Sequence, residues 1–191
     1  SDRPVPMITS NDLKTGMTLV VKDNLHQVIQ FQHIKPGKGP AFVRTKLRRL
    51  DTGAVIEHTF RAKEPVEQAF IEKRQYEYLY RDGNSYYVMD PETFEQFPLE
   101  VGDFAGKEVF LKENTSLLLA FHEDKVIDVQ LPDSMILEVT ETVPGVKGDT
   151  VSGATKQATL ETGATVQVPL FINEGDSIRV DTRSGEYLER A

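Results

Sequence analysis

The feature that most constrains this chain is a strand-like alternation that runs through almost all of it. TLVVK, HQVIQFQHI, AFVRTKLRRL, AVIEHTFRA, YEYLYRDG, SYYVMD, SLLLAFHEDKVIDVQL, MILEVTET, ATVQVPLF and SIRVDTRSG are β-branched or aromatic runs cut by Gly, Asp, Asn and Pro. Turn signals recur about every 8 to 12 residues, the spacing of small barrels and sandwiches. Only VGDFAGKEVFLKEN, residues 101–114, offers a short helix, and its 3.6-residue period is weak. The expectation is an all-β protein.

Two breaks divide it. RAKEPVEQA around Pro65 and QLPDSM around Pro132 separate residues 7–65, 66–131 and 132–191. Each piece has about 60 residues, a size at which a lone core is marginal, so the pieces are expected to pack on one another. The second and third share length and turn spacing, which points to related barrels. Residues 1–6, SDRPVP, read as a tag remnant or tail, with Met7 as the natural start.

Charge separates the pieces further. The 191 residues carry a net charge of −8, yet residues 1–64 hold eleven Lys/Arg against six Asp/Glu, which leaves −13 for the rest. Lys35, Lys38, Arg44, Lys46, Arg48 and Arg49 fall in one 15-residue window without an acid. On alternate positions of a strand such a row faces one side and can follow a phosphate backbone, although charge runs are commonly just solvated faces.

Other function classes fall away on residue type. No apolar run approaches the roughly 18 to 20 residues that span a bilayer, and no signal-peptide pattern is present, so a cytoplasmic protein without membrane contact is expected. Cysteine is absent, which removes disulfides and thiolate metal sites. His26, His33, His58 and His122 show no metal-binding spacing. GDTVSGATK begins like a phosphate-binding loop, but Ala154 and Thr155 stand where a Lys-Ser/Thr pair belongs, and a strand-like run follows it. There is no nucleophile elbow and no convincing acid pair. The chain is expected to use no cofactor and no metal, and not to be an enzyme.

One turn exceeds the needs of chain reversal. QHIKPGKGPAFVR places Lys38 between two glycines and two prolines at the tip of a long hairpin, where Asn-Gly would suffice. Gly37 and Gly39 let backbone approach a ligand, while Pro36 and Pro40 restrict the loop. Strands of about ten residues at roughly 3.3 Å each would make an arm of some 30 Å.

KPGKGPAFVRTKLRRLDTGAVIEHTFRA, YLYRDGNSYYVMDPETFEQ and PGVKGDTVSGATKQATLETGATVQVPLFINEGDSIRVDTRSGEYLER together resemble the bacterial elongation factor P family, from Met7 to the end. The resemblance implies a KOW/SH3-like barrel followed by two OB-fold barrels in an L shape like tRNA. It implies a monomer that binds the 70S ribosome between the peptidyl and exit tRNA sites and relieves stalling at consecutive prolines. Lys38 would be the tip residue that a lysine-modifying enzyme lengthens, by β-lysylation or an aminopentanol group, so that it reaches the CCA end of the peptidyl tRNA. Lys35, Pro36, Gly37, Gly39, Arg44 and Lys46 would hold the tRNA, the bases by acceptor-stem phosphate contacts that position without reading sequence. Gly145, Gly148 and Gly153 make PGVKGDTVSG a flexible loop, in which Gly148, Asp149 and Thr150 would meet the exit-site codon on the small subunit. Tyr187 and Arg190 match the family's terminal motif, though packing of a C-terminal strand also accounts for Tyr187.

Two rivals stand beside this reading. The hypusine-bearing eukaryotic and archaeal relative shares the barrel and lysine hairpin but typically lacks a third domain, against which the stretch after Pro132 speaks. A non-ribosomal OB-type single-stranded RNA-binding module is disfavoured because few stacking aromatics stand beside bases in the acidic second and third pieces.

Overall fold

The computed structural model describes residues 4–145 and 153–191. It contains sixteen strands, three short 3₁₀ segments and no α-helix among the described residues. The chain divides into two compact units, Ser1–Glu72 with His122–Lys125, and Lys73–Phe121 with Val126–Ala191.

The first unit is built on one six-stranded sheet. Its strands are β1 (Met7–Thr9), β2 (Thr18–Val21), β3 (Asn24–Ile34), β4 (Phe42–Arg49), β5 (Val55–Arg61) and β6 (Pro65–Ala69), in the order β1-β6-β2-β3-β4-β5. Alternate residues turn inward and form one core: Leu13, Leu19, Val21, Val28, Val43, Leu47, Phe60 and Val66. A clasp bends the sheet on itself. Buried Ser10, just past β1, donates its hydroxyl to the Arg61 carbonyl at the end of β5 and accepts from the Glu64 amide at 3.2 Å.

Pro65–Ala69 lies in the stretch that reads from sequence as a connection, yet it is a strand paired with both β1 and β2. Pro65 stands at its first position, where a missing N–H is tolerated, and Val66 and Ala69 are buried. Five residues are too few for a periodic signal; two flanking strands make the element.

Buried polar groups in this barrel are matched. Thr45 donates to the His58 carbonyl at 2.6 Å, and His26 places Nδ1 3.0 Å from the Asn24 carbonyl. His58 sits edge-on to Phe60, with ring centroids 4.4 Å apart. Burial holds the His58 imidazole below the ordinary histidine range, helped by the nearby charges of Lys22 and His26 and opposed by Glu64. A depressed folded-state pKa means that the unfolded chain takes up the proton first. Stability is therefore full above the unfolded value of about 6.5 and is lost as pH falls through the folded one. We expect His58→Gln to flatten that part of the stability-versus-pH curve, measured by urea unfolding of the whole protein between pH 7.5 and 5. An unchanged slope would locate the acid sensitivity elsewhere.

The second unit holds two sheets. Strands β7 (Glu72–Asp82), β8 (Ser85–Met89), β9 (Gln96–Glu100), β10 (Ser116–His122) and β11 (Lys125–Gln130) pair in the order β11-β10-β7-β8-β9. Strands β12 (Ser134–Thr142), β13 (Thr155–Leu160), β14 (Thr165–Pro169), β15 (Ser177–Asp181) and β16 (Tyr187–Arg190) pair in the order β14-β13-β12-β15-β16. β9 carries Pro98 and lies at a sheet edge, where the ladder does not need its N–H. One apolar core runs through both sheets, from Tyr76, Val88 and Leu119 to Leu137, Val168 and Ile178. Across the junction Lys112 bridges Glu161 at 3.1 Å, and the same Glu161 oxygen accepts the Glu138 amide at 3.0 Å.

The helix expected over residues 101–114 is absent. Two 3₁₀ segments, Val101–Phe104 and Lys107–Phe110, stand in its place. Ala105 and Gly106, at φ 51° and 85°, separate them. Phe104 and Phe110 are buried, so the segment is held by two aromatic anchors rather than by a continuous apolar stripe.

Candidate nucleic-acid interface

Lys38 occupies the midpoint of the β3–β4 hairpin. Ile34 pairs with Phe42, Gln32 with Arg44 and Gln30 with Lys46, so both strands count inward to the same residue. Between them run residues 35–41, of which 35–40 are all exposed. Gly39 has φ 95°, a left-handed conformation that side chains rarely adopt, and this makes the return bend possible. Gly37 is not in that region, and a Cβ there would meet nothing within 4 Å. Its value is an open approach to the backbone rather than an unusual conformation.

The projecting part is shorter than strand lengths alone suggest. β4 is paired with β5 over Phe42–Arg48, so only residues 35–40 extend past the sheet. Three strands brace the tip where two were expected. A braced loop loses less freedom when it binds.

Below the tip the bases separate by role. Arg44, Lys46 and Arg48 are exposed and alternate with buried Val43, Thr45 and Leu47, so all three face outward on one side. The Arg44 guanidinium lies 5.9 Å from the Phe42 ring centroid, a cation–π contact that restrains it. Gln30, Gln32, Arg44 and Lys46 share a shallow hollow of about 200 Å³ with Glu57 on its far wall. Among the described residues no carboxylate lies within ion-pair distance of Lys35, Lys38, Arg44, Lys46 or Arg48. Arg49 differs. Its Nε and Nη2 meet Asp51 at 2.6 and 2.9 Å, and Nη2 also donates to Asn24 at 3.0 Å. That bidentate pair raises the Arg49 pKa and holds the Asp51 carboxyl below the usual range, so this base is already matched.

Gln30 and Gln32 escape a reading of charge. They join the basic face only through cross-strand register, which folding the sequence about Lys38 would have revealed as far as the bulge between Val28 and Gln30. Amides beside cations suit phosphate and sugar oxygens.

The other expected site residues lie in the second unit. Gly148, Asp149 and Thr150 fall outside the described residues. Tyr187 is half-buried against the core and lines a groove of about 690 Å³ with Thr155, Gln157, Thr165 and Gln167. Arg190 donates to Asp176 at 3.3 Å. Where the described chain meets the 146–152 segment, buried Lys156 donates to the Val143 carbonyl at 2.6 Å. A Cβ on Gly145 would stand 2.7 Å from the Leu170 carbonyl oxygen, a backbone atom that cannot step aside. Gly145→Ala should therefore cost about 1 to 3 kcal/mol, roughly 2 to 12 °C in thermal midpoint for a chain of this length, whereas Gly37→Ala should be neutral. Equal midpoints for the two variants would refute the close approach.

Among the described residues no three His, Asp or Glu converge in a way that could hold a metal, and no helix is long and apolar enough to cross a membrane.

Comparison with known proteins covers the whole fold. Residues 9–66 match the family model described as the elongation factor P KOW-like domain, 71–129 the elongation factor P OB domain, and 135–190 the elongation factor P C-terminal model. Elongation factor P of Moorella thermoacetica is 52% identical over 185 residues, 97% of this chain and 100% of its own length. That of Natranaerobius thermophilus is 54% identical over 184 residues, 96% of this chain and 98% of its own. Among solved structures, eukaryotic translation initiation factor 5A from Methanococcus jannaschii matches with a TM-score of 0.51 and 21% identity, covering 66% of this chain and 98% of that one. A translation initiation factor 5A family protein from Naegleria fowleri matches with a TM-score of 0.56 and 14% identity, covering 66% and 99%. At such identities the likeness is one of fold.

Proposed function

The chain belongs to the elongation factor P family, a KOW-like domain followed by OB-type domains with a role in translation elongation, and from that premise we propose how it acts. It binds the ribosome between the peptidyl and exit tRNA sites, directs Lys38 to the CCA end of the peptidyl tRNA, and speeds peptide-bond formation between consecutive prolines. The observation that carries this reading is Lys38 itself: midway along a braced hairpin, exposed, and at the head of an outward row of bases.

The action is positional. A cation held beside the 3′ end of the tRNA orders the peptidyl ester for attack, which offsets an entropic cost that a rigid imino nucleophile raises. Arg44 and Lys46, with Lys35 and the backbone at Pro36, Gly37 and Gly39, hold the tRNA without reading its sequence. No side chain of the factor makes or breaks a bond in this scheme. A lysine-modifying enzyme extends Lys38, since an unextended side chain reaches only a few ångströms past the loop. In the third domain Gly148, Asp149 and Thr150 contact the exit-site codon, and Tyr187 and Arg190 add a contact from the C-terminal strand. In this scheme the KOW-like and the C-terminal domain act at different places.

Co-sedimentation with purified 70S ribosomes carrying peptidyl-prolyl tRNA, set against binding to free single-stranded RNA, tests the scheme. Tight ribosome binding with weak RNA binding is expected. Equal binding to free RNA would favour a general RNA-binding module. Intact-mass measurement on protein from its native host tests the extension of Lys38; a bare-sequence mass with full activity removes it.

A further inference from the structure

We propose that the turn between β8 and β9 is a docking knob: Phe94 inserts into an apolar, basic-rimmed pocket on a protein of the ribosome, an inference that rests on the ribosomal role above. This turn lies in the YVMDPETFEQ motif, to which the elongation mechanism assigns no task.

Phe94 stands in a left-handed conformation at φ 63° and is 69% exposed. For a bulky side chain that backbone geometry is a genuine outlier, and Gly or Asn would fill it without strain. The turn is held tightly all the same. Asp90 donates its amide to Glu95 at 2.9 Å, and Phe94 donates to the Asp90 carbonyl at 2.8 Å. The Asp90 carboxylate accepts the amides of Glu92 and Thr93, and the Thr93 hydroxyl accepts that of Glu95. A rigid turn thus presents an aromatic ring to solvent, at a cost in both backbone strain and hydration that chain reversal does not explain. Pre-ordered, protruding aromatic rings are what anchor protein interfaces.

The surroundings select the partner. Glu92 and Glu95, two residues before Phe94 and one after it, are exposed, and the chain beyond residue 64 carries −13 of net charge, the balance of −8 overall and +5 before it. Such a setting repels phosphate, which argues against a stacked RNA base. It complements a protein pocket with Lys or Arg at its edge.

Two measurements decide the matter. Phe94→Gly relieves the strained backbone, so its thermal midpoint should equal or exceed that of the native protein while its affinity for 70S ribosomes falls about ten- to thirty-fold. Unchanged affinity would make Phe94 a turn residue only and overturn the proposal. In the second, Phe94→benzoylphenylalanine is irradiated on purified 70S ribosomes, with Lys35→benzoylphenylalanine in parallel. A crosslink from position 94 to a ribosomal protein supports docking; a crosslink to ribosomal RNA overturns it. Silence at position 94 with tRNA captured from position 35 overturns docking and leaves the ribosomal role standing. Silence at both sinks the two together.

Discussion

Lys38→Ala should leave the thermal midpoint where it is and abolish stimulation of Pro-Pro bond formation. The first half follows from exposure: the residue sits in a loop outside the sheet, and surface substitutions away from caps and strain usually stay within about 0.5 kcal/mol. The second follows from its place at the hairpin midpoint, in a loop that projects past the sheet. Each 1.4 kcal/mol of lost positioning lowers a rate about tenfold, so the loss should exceed tenfold in a reconstituted synthesis of a tri-proline peptide. Peptides without proline pairs should form at the ordinary rate. Unchanged tri-proline synthesis by a folded Lys38→Ala protein would remove the tip from the mechanism.

The second large effect is electrostatic. Arg44→Glu with Lys46→Glu should weaken ribosome binding about ten- to a hundred-fold near 0.1 M salt, the loss expected for charge-assisted hydrogen bonds turned repulsive. The slope of log affinity against log salt should fall by about two, one for each phosphate contact removed. Arg49→Gln supplies the control. Arg49 lies in the same basic run but is bound to Asp51 and Asn24, so its loss should scarcely change the slope. If all three positions behave alike, the binding surface is diffuse charge rather than an ordered face.

That contrast between neighbours marks where a linear reading stops. Six bases in fifteen residues announce an electropositive segment, and their alternation with Val43, Thr45 and Leu47 correctly places Arg44, Lys46 and Arg48 on one side. Which of them remain available depends on what folds beside them. Asp51 reaches Arg49 around the turn that follows β4, while Glu57 reaches the level of Lys46 only because β5 pairs with β4 in that register. The arm is a further case. Eleven- and eight-residue strands suggest a free two-stranded projection, but a third strand covers β4 and leaves six residues to project.

Short elements were the least legible. The long alternating runs were readable because seven to eleven residues contain several periods. Strands β1, β6, β9 and β16, of three to five residues, contain too few and lack the β-branched or aromatic runs that mark the equally short β2, β8, β14 and β15. The 101–114 segment suggests a helix only through a weak period: its two buried phenylalanines, six residues apart, would lie on different faces of a helix, and the left-handed turn at Ala105 and Gly106 divides the segment so that both can be buried.

By itself, then, the sequence determined what is local. Side-chain alternation made strands, Gly and Pro closed the turns, and the same residues put a lysine at the apex of a hairpin. These are decided by steric limits on a few consecutive residues. Tertiary structure alone decided which strands became neighbours, that Ser10 would clasp β1 to the end of β5, that Gln30 and Gln32 would stand beside Arg44 and Lys46, and that the second and third sheets would share one core. Partners such as Ser10 and Arg61 are 51 residues apart, and a single-residue slip in register would turn every side chain on a strand to the opposite face. Only the collective burial of both faces' apolar residues selects among those registers, and that selection is made by the whole fold at once.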